Sequence, residues 1–140
     1  MIHSQMEKVV ATLPATGSSA VTLTVDTVGV DYASFTVLRG SNASTVFASV
    51  LKVEESDDNS TYSNVTGFNG GTDFTIPAVS DTSATSVVKM DIATPARKRY
   101  LKVTATPAVS VAVAITGRLS RLENAPSSAS EAGVIGWVKG

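Results

Sequence analysis

Residues 109–117 read VSVAVAITG, and the alternation inside them sets the fold class. Val109, Val111, Val113 and Ile115 fall on one side of an extended chain, with only the small residues Ser110, Ala112, Ala114 and Thr116 on the other. A period of two marks a strand with one buried face; a helix would space its apolar residues three and four apart. Working outward, the same pattern recurs. RKRYLKVTA (97–105) sets Leu101 and Val103 opposite Lys98, Tyr100 and Lys102, and SVVKMDI (86–92) puts Val88, Met90 and Ile92 on one side. YASFTVL (32–38) groups Ala33, Phe35 and Val37 before Arg39-Gly40 breaks the run, and AVTLTVDTV (20–28) groups Val21, Leu23 and Val25. VFASVLKVEE (46–55) is apolar on both faces at first and turns polar at Lys52. Pro107 lies in the short link between the last two runs, which predicts that they are antiparallel neighbours.

A short VVATL near the start and weaker runs around Tyr62 and Phe74 bring the expectation to about eight or nine strands. Gly, Pro, Asn, Asp and Ser punctuate them, and no segment sustains a helical period. The expected fold is therefore all-β, an antiparallel β-sandwich or jelly-roll-like domain over residues 20–122. Residues 1–19, with one weak strand candidate, and residues 123–140 read as extended N- and C-terminal arms. The second opens on linker-like ENAPSSASEAG and ends in VIGWVKG, where Ile135 and Trp137 form an apolar patch. Such a patch either folds back onto its own domain or docks onto a neighbouring subunit.

Composition narrows the chemistry. The 140 residues contain no cysteine and one histidine, His3, which removes disulfides, thiol nucleophiles and a Cys/His zinc cluster. Charged residues are only 16% and the net charge is -1, which predicts neither a nucleic-acid footprint nor an acidic tail. The even total hides an asymmetry: residues 1–85 carry nine acids and three bases, residues 86–140 three acids and eight bases. The two halves are expected to pair within one molecule or between subunits. MIHSQMEKVVATLPATG has no continuous apolar core, and no later run reaches membrane-spanning length. The expectation is a soluble protein without an export signal or membrane segment.

The most polar stretch, VEESDDNSTYSNV (53–65), invites four readings. Counted from Asp57 as an EF-hand loop, it has Tyr62 where glycine is required and Phe68 where a bidentate glutamate is required, so no calcium loop follows. The formal sequons at Asn42, Asn59 and Asn64 arise easily in a chain so rich in Ser and Thr, and no export signal would bring them to the glycosylation machinery. Glu54 and Glu55 are adjacent and face opposite sides of a strand, so they cannot act as a catalytic pair. A Ser-His-acid triad would need His3. Gly70-Gly71 has no following helix to make a phosphate loop. What remains is a hairpin turn set by Asp57 to Ser60, and the expectation is that the chain is not an enzyme and carries no cofactor. Arg97, Lys98 and Arg99 make the one basic cluster. Alternation splits them between two faces, with few aromatics nearby, so nucleic acid is not the expected partner; the acids Glu54, Glu55, Asp57 and Asp58 are.

Two pieces together, LKVEESDDNSTYSNVTGF and RKRYLKVTAT, resemble the acidic hairpin and the later basic strand of small all-β virion proteins of tailed bacteriophages, in particular capsid decoration (cement) proteins. Asn59 stands where that pattern has glycine, a tolerable change because asparagine also visits the left-handed region. The resemblance covers roughly residues 46–118. It implies a non-enzymatic module at the virion capsid surface. Such a module, often oligomeric, binds the major capsid protein and copies of itself and staples contacts between capsomers; a trimer would suit local threefold positions. Glu54, Glu55, Asp57, Asp58, Arg97, Lys98, Arg99, Ile135 and Trp137 are the interface candidates. A phage tail or tail-tip protein is the main alternative, and a carbohydrate-binding, receptor-binding β-sandwich module is another. A sugar module would usually show a row of exposed aromatics, and here aromatics are 6%.

Overall fold

A computed structural model describes residues 3–140, with side chains from residue 4, so the His3 ring weighed above lies outside it. After a 3-10 turn at His3–Met6, the described residues form nine strands: β1 (Lys8–Ala11), β2 (Ala15–Gly17), β3 (Val21–Asp26), β4 (Val30–Arg39), β5 (Val50–Ser56), β6 (Ser63–Asn69), β7 (Ser86–Ala93), β8 (Tyr100–Thr106) and β9 (Val111–Leu122). They make two antiparallel sheets. One runs β1-β9-β4-β7, with β2 also on β9, and the other runs β3-β8-β5-β6. β1 and β2 lie end to end along β9, at Thr116–Leu119 and Val111–Val113, and act as one strand interrupted around Pro14. Counted that way, eight strand positions in this order are the two interlocked Greek keys of a jelly roll.

The alternation seen in the sequence points into the space between the sheets. Val21, Leu23 and Val25 of β3, Phe35 and Val37 of β4, Leu51 and Val53 of β5, Leu101 and Val103 of β8, and Val111, Val113 and Ile115 of β9 are all buried. β9 does not stop where the apolar run meets Gly117 but continues to Leu122. Gly117 is needed there: a Cβ would stand 2.9 Å from Val10 Cγ2 and 3.0 Å from Phe35 Cδ1, so the side chains of both neighbouring strands close over it.

Five expectations need correcting. β8 and β9 are not neighbours; the link after buried Pro107 carries the chain from one sheet to the other. Alternation specifies that a segment is a strand and which side is wet, but not which sheet it joins. Arg97–Arg99 are not on the strand, which starts at Tyr100; Pro95 and the Arg97 N–H to Thr94 carbonyl bond make a turn instead. The run around Phe74 is a tight loop in which the Asp73 carboxylate accepts the Gly67 and Asn69 amides. Arg39 does not break β4: it is the strand's last residue, keeps the inward register of Ala33, Phe35 and Val37, and is wholly buried. Residues 8–17, within the segment expected as an N-terminal arm, are zipped onto β9.

Candidate interaction surface

The acidic hairpin and the basic turn do come together, inside one molecule. Asn59 takes the left-handed conformation (φ 57°), as its place in the turn requires, and its side-chain oxygen accepts the Tyr62 hydroxyl. Asp58 Oδ1 accepts three hydrogen bonds, from the Ser60 and Thr61 amides and the Ser56 hydroxyl, at 2.7–2.9 Å. These bonds, led by the Thr61 amide, hold its carboxyl below the usual range. On the face opposite Glu55, the Glu54 carboxylate sits between Lys52 (3.0 Å) and Lys102 (3.2 Å). Burial alone would push the Glu54 carboxyl up; the two ammonium groups outweigh it and lower it instead. Lys102 also lies 3.9 Å above the Tyr62 ring, tying the turn to β8.

Glu55 takes the other side, with Arg97 at 3.7 Å and the Lys98 amide at 3.1 Å, while Asp57 meets Lys98 at 3.9 Å. Arg99 turns away to grip Asp26 at the end of β3 through two bonds, at 2.8 and 3.1 Å. That fork lowers the Asp26 carboxyl and raises the Arg99 guanidinium. With Arg118–Glu7 and Arg121–Asp31, six ion pairs among the described residues join the acidic half of the chain to the basic half. The asymmetry is answered within the fold. An open cleft of about 830 Å³ at this end is bordered by Arg97, Arg99 and Arg121, and each already faces a carboxylate. Ion pairs at a protein surface contribute little each, so they set geometry more than stability.

Asp26, Glu54, Asp58, Asp81, Asp91 and Glu131 all titrate below their ordinary values of 3.8 (Asp) or 4.5 (Glu). A lowered folded-state value adds stability that is complete above the unfolded value and is lost as pH falls through the folded one. Urea midpoints are therefore expected to be level from pH 7 to about 5 and to decline below about 4.5. Equal midpoints at pH 7 and pH 3 would contradict these carboxylate contacts.

The C-terminal segment does two things. Ser127 and Glu131 close one compact turn, with the Glu131 carboxylate accepting both the amide and the hydroxyl of Ser127. Ala132 is buried, and its carbonyl accepts the Val9 amide at 2.8 Å, so the turn is fastened to the β1 edge. Gly133, at φ 77°, follows; a Cβ there would lie 2.0 Å from the Val9 carbonyl oxygen. Beyond it the chain leaves the sandwich. Ile135 and Val138 are fully exposed, and half-buried Trp137 has Lys139 stacked 3.7 Å over its ring.

Sequence reasoning missed two features. Lys52 and Lys102 clamp Glu54, which the i, i+2 spacing of Lys52 and Glu54 on one strand face could have signalled. Arg39 is the other, recoverable by carrying the period of Phe35 and Val37 one step further. Among the described residues, no group of three or more His, Cys, Asp or Glu side chains is placed to hold a metal, and no helix is long and apolar enough to cross a membrane.

No protein-family model matches the chain, and no curated protein matches it. Among solved structures, one match is a chain from the structure described as "Bacillus endospore appendages form a novel family of disulfide-linked pili". It is 12% identical with a TM-score of 0.38, over 81% of this chain and 89% of that one.

Proposed function

We propose that this chain is a non-enzymatic structural subunit of a phage particle, which docks on the capsid shell and staples contacts between capsomers. The observation that carries the reading is the C-terminal segment: an apolar strip with fully exposed Ile135 and Val138, projecting from a sandwich whose acidic hairpin and basic turn already answer each other. Leaving such side chains in water forgoes roughly 1.5–3 kcal/mol apiece, which a neighbouring surface would recover. The resemblance of residues 46–118 to decoration proteins supplies the particle; the jelly roll itself serves shells and lectins alike. Weak contacts suffice when many copies act together.

Cryo-electron microscopy of the parent particle tests the proposal. Sandwich-shaped density on the shell at contacts between capsomers is the expected result. Density at the tail would move the subunit there, and particles without any copy of the chain would end the reading.

A further inference from the structure

The exposed segment has a matching site on the same fold, at the far edge of the same sheet. β7 is the longest of the sheet edges at eight residues; it contains no proline, and its register against β4 is unbroken from Ser86 to Ala93. The other edges are shorter or blunted. β1 and β2 are interrupted and partly covered by Ala132, β3 has six residues, and β6 carries a register shift. An uninterrupted edge offers a row of unpaired amides and carbonyls to another strand. On β7 the charges that could repel one, Lys89 and Asp91, neutralise each other at 2.8 Å.

Beside β7 lies a cleft of about 260 Å³, walled by Phe47, Pro77, Val79, exposed Val87 and Val88, with Asp81 on its rim. Two hydrogen bonds from Ser83 keep the Asp81 carboxylate ionised. The C-terminal segment is the complement of this site: Ile135, Trp137 and Val138 are apolar, and Lys139 follows two residues after the indole.

We infer that Ile135–Lys139 of one copy adds as a strand to β7 of a second copy, with the indole of Trp137 in the cleft and Lys139 against Asp81. The segment cannot reach its own β7. Ala132 is held at the β1 edge, four strand spacings or roughly 19 Å from β7. The three residues from Ala132 to Ile135 span at most about 10 Å. Donor and acceptor therefore sit on opposite edges of one sheet, and the contact is head-to-tail, closing into a ring or propagating along a row. This deepens the assembly reading by naming which surfaces of the chain meet.

The test uses full-length protein in sedimentation velocity. Wild type should associate beyond a dimer with rising concentration. Ile135→Asp, which lacks the donor, and Val87→Lys, which lacks the acceptor, should each stay monomeric, with circular dichroism unchanged because both side chains are solvent-facing. Mixed one to one, the two variants should form a dimer and stop, since only one good contact is available. Wild type that remains monomeric up to about millimolar, an Ile135→Asp variant that associates like wild type, or a mixture that stays monomeric would each overturn the inference. Shell binding measured in parallel keeps the two proposals apart. A wild type that binds shells but stays monomeric in sedimentation would sink the strand exchange alone, whereas head-to-tail association without shell binding would sink the particle reading alone.

Discussion

Phe35→Ala is expected to lower the unfolding free energy by about 3–5 kcal/mol, a large fraction of the roughly 5–15 kcal/mol a domain holds. Phe35 is wholly buried in the middle of β4, paired on one side with Met90 of β7 and on the other with Gly117 of β9. Its ring fills the room that Gly117 leaves, with a Cβ at residue 117 falling 3.0 Å from Phe35 Cδ1. Truncation therefore empties volume that strands on both sides are shaped around, and hydrogen-bonded strands relax poorly into such a void. Urea denaturation followed by far-ultraviolet circular dichroism gives the value. Trp137 fluorescence would mislead, because that indole lies in the projecting segment rather than the core. Adding Gly117→Ala to Phe35→Ala should return part of the loss, although Gly117→Ala alone overpacks the wild type. A loss under about 1 kcal/mol would mean that this ring is not the centre of the core.

Arg39→Met is expected to act in the opposite direction, raising stability by about 1–4 kcal/mol. The Arg39 side chain is wholly buried at the end of β4, and no carboxylate among the described residues lies within ion-pair distance. Two backbone carbonyls answer it, Ser44 at 2.9 Å and Gly40 at a long 3.4 Å, and its Nε has no partner. A guanidinium stays charged at any pH the fold survives, so its desolvation is met by dipoles alone. Methionine keeps the length and bends to fit while removing the charge. Arg39→Ala should instead destabilise, because it leaves a cavity. If Arg39→Met lowers the urea midpoint, the bond to Ser44 is organising residues 40–49 strongly enough to outweigh the buried charge.

The strands were legible in the sequence because burial on one face leaves a period of two in the residues themselves: β3, β4, β8 and β9 appear in VTLTV, ASFTV, LKV and VSVAVAIT. Which sheet each strand joins leaves no such trace. A four-residue link after β8 reads as a hairpin, and only packing tells that it crosses the sandwich. The hairpin at Asp57–Ser60 was readable from side chains that bond their own backbone. The pairing of acidic and basic residues was readable only in bulk, since Arg99 chooses Asp26 across more than seventy residues of chain. Arg39 was hidden by its chemistry: an arginine beside a glycine looks like a strand end. The projecting segment was visible as apolar residues after a linker, but its anchor at Ala132 and the open β7 edge exist only in three dimensions.

The position of β9 has a consequence for how the protein is made. β9 is the inner partner of β1, β2 and β4, so the five-stranded sheet cannot zip until residue 122 has left the ribosome. Until then β1, β2 and β4 wait with unpaired edges, some of them for a hundred residues of synthesis. Pairings that distant in sequence make for slow folding, on the scale of milliseconds to seconds. In that interval nascent chains on one messenger expose the same apolar strands to each other. High-level expression is the condition under which that crowding matters most, and slowing translation between β4 and β9 should worsen it.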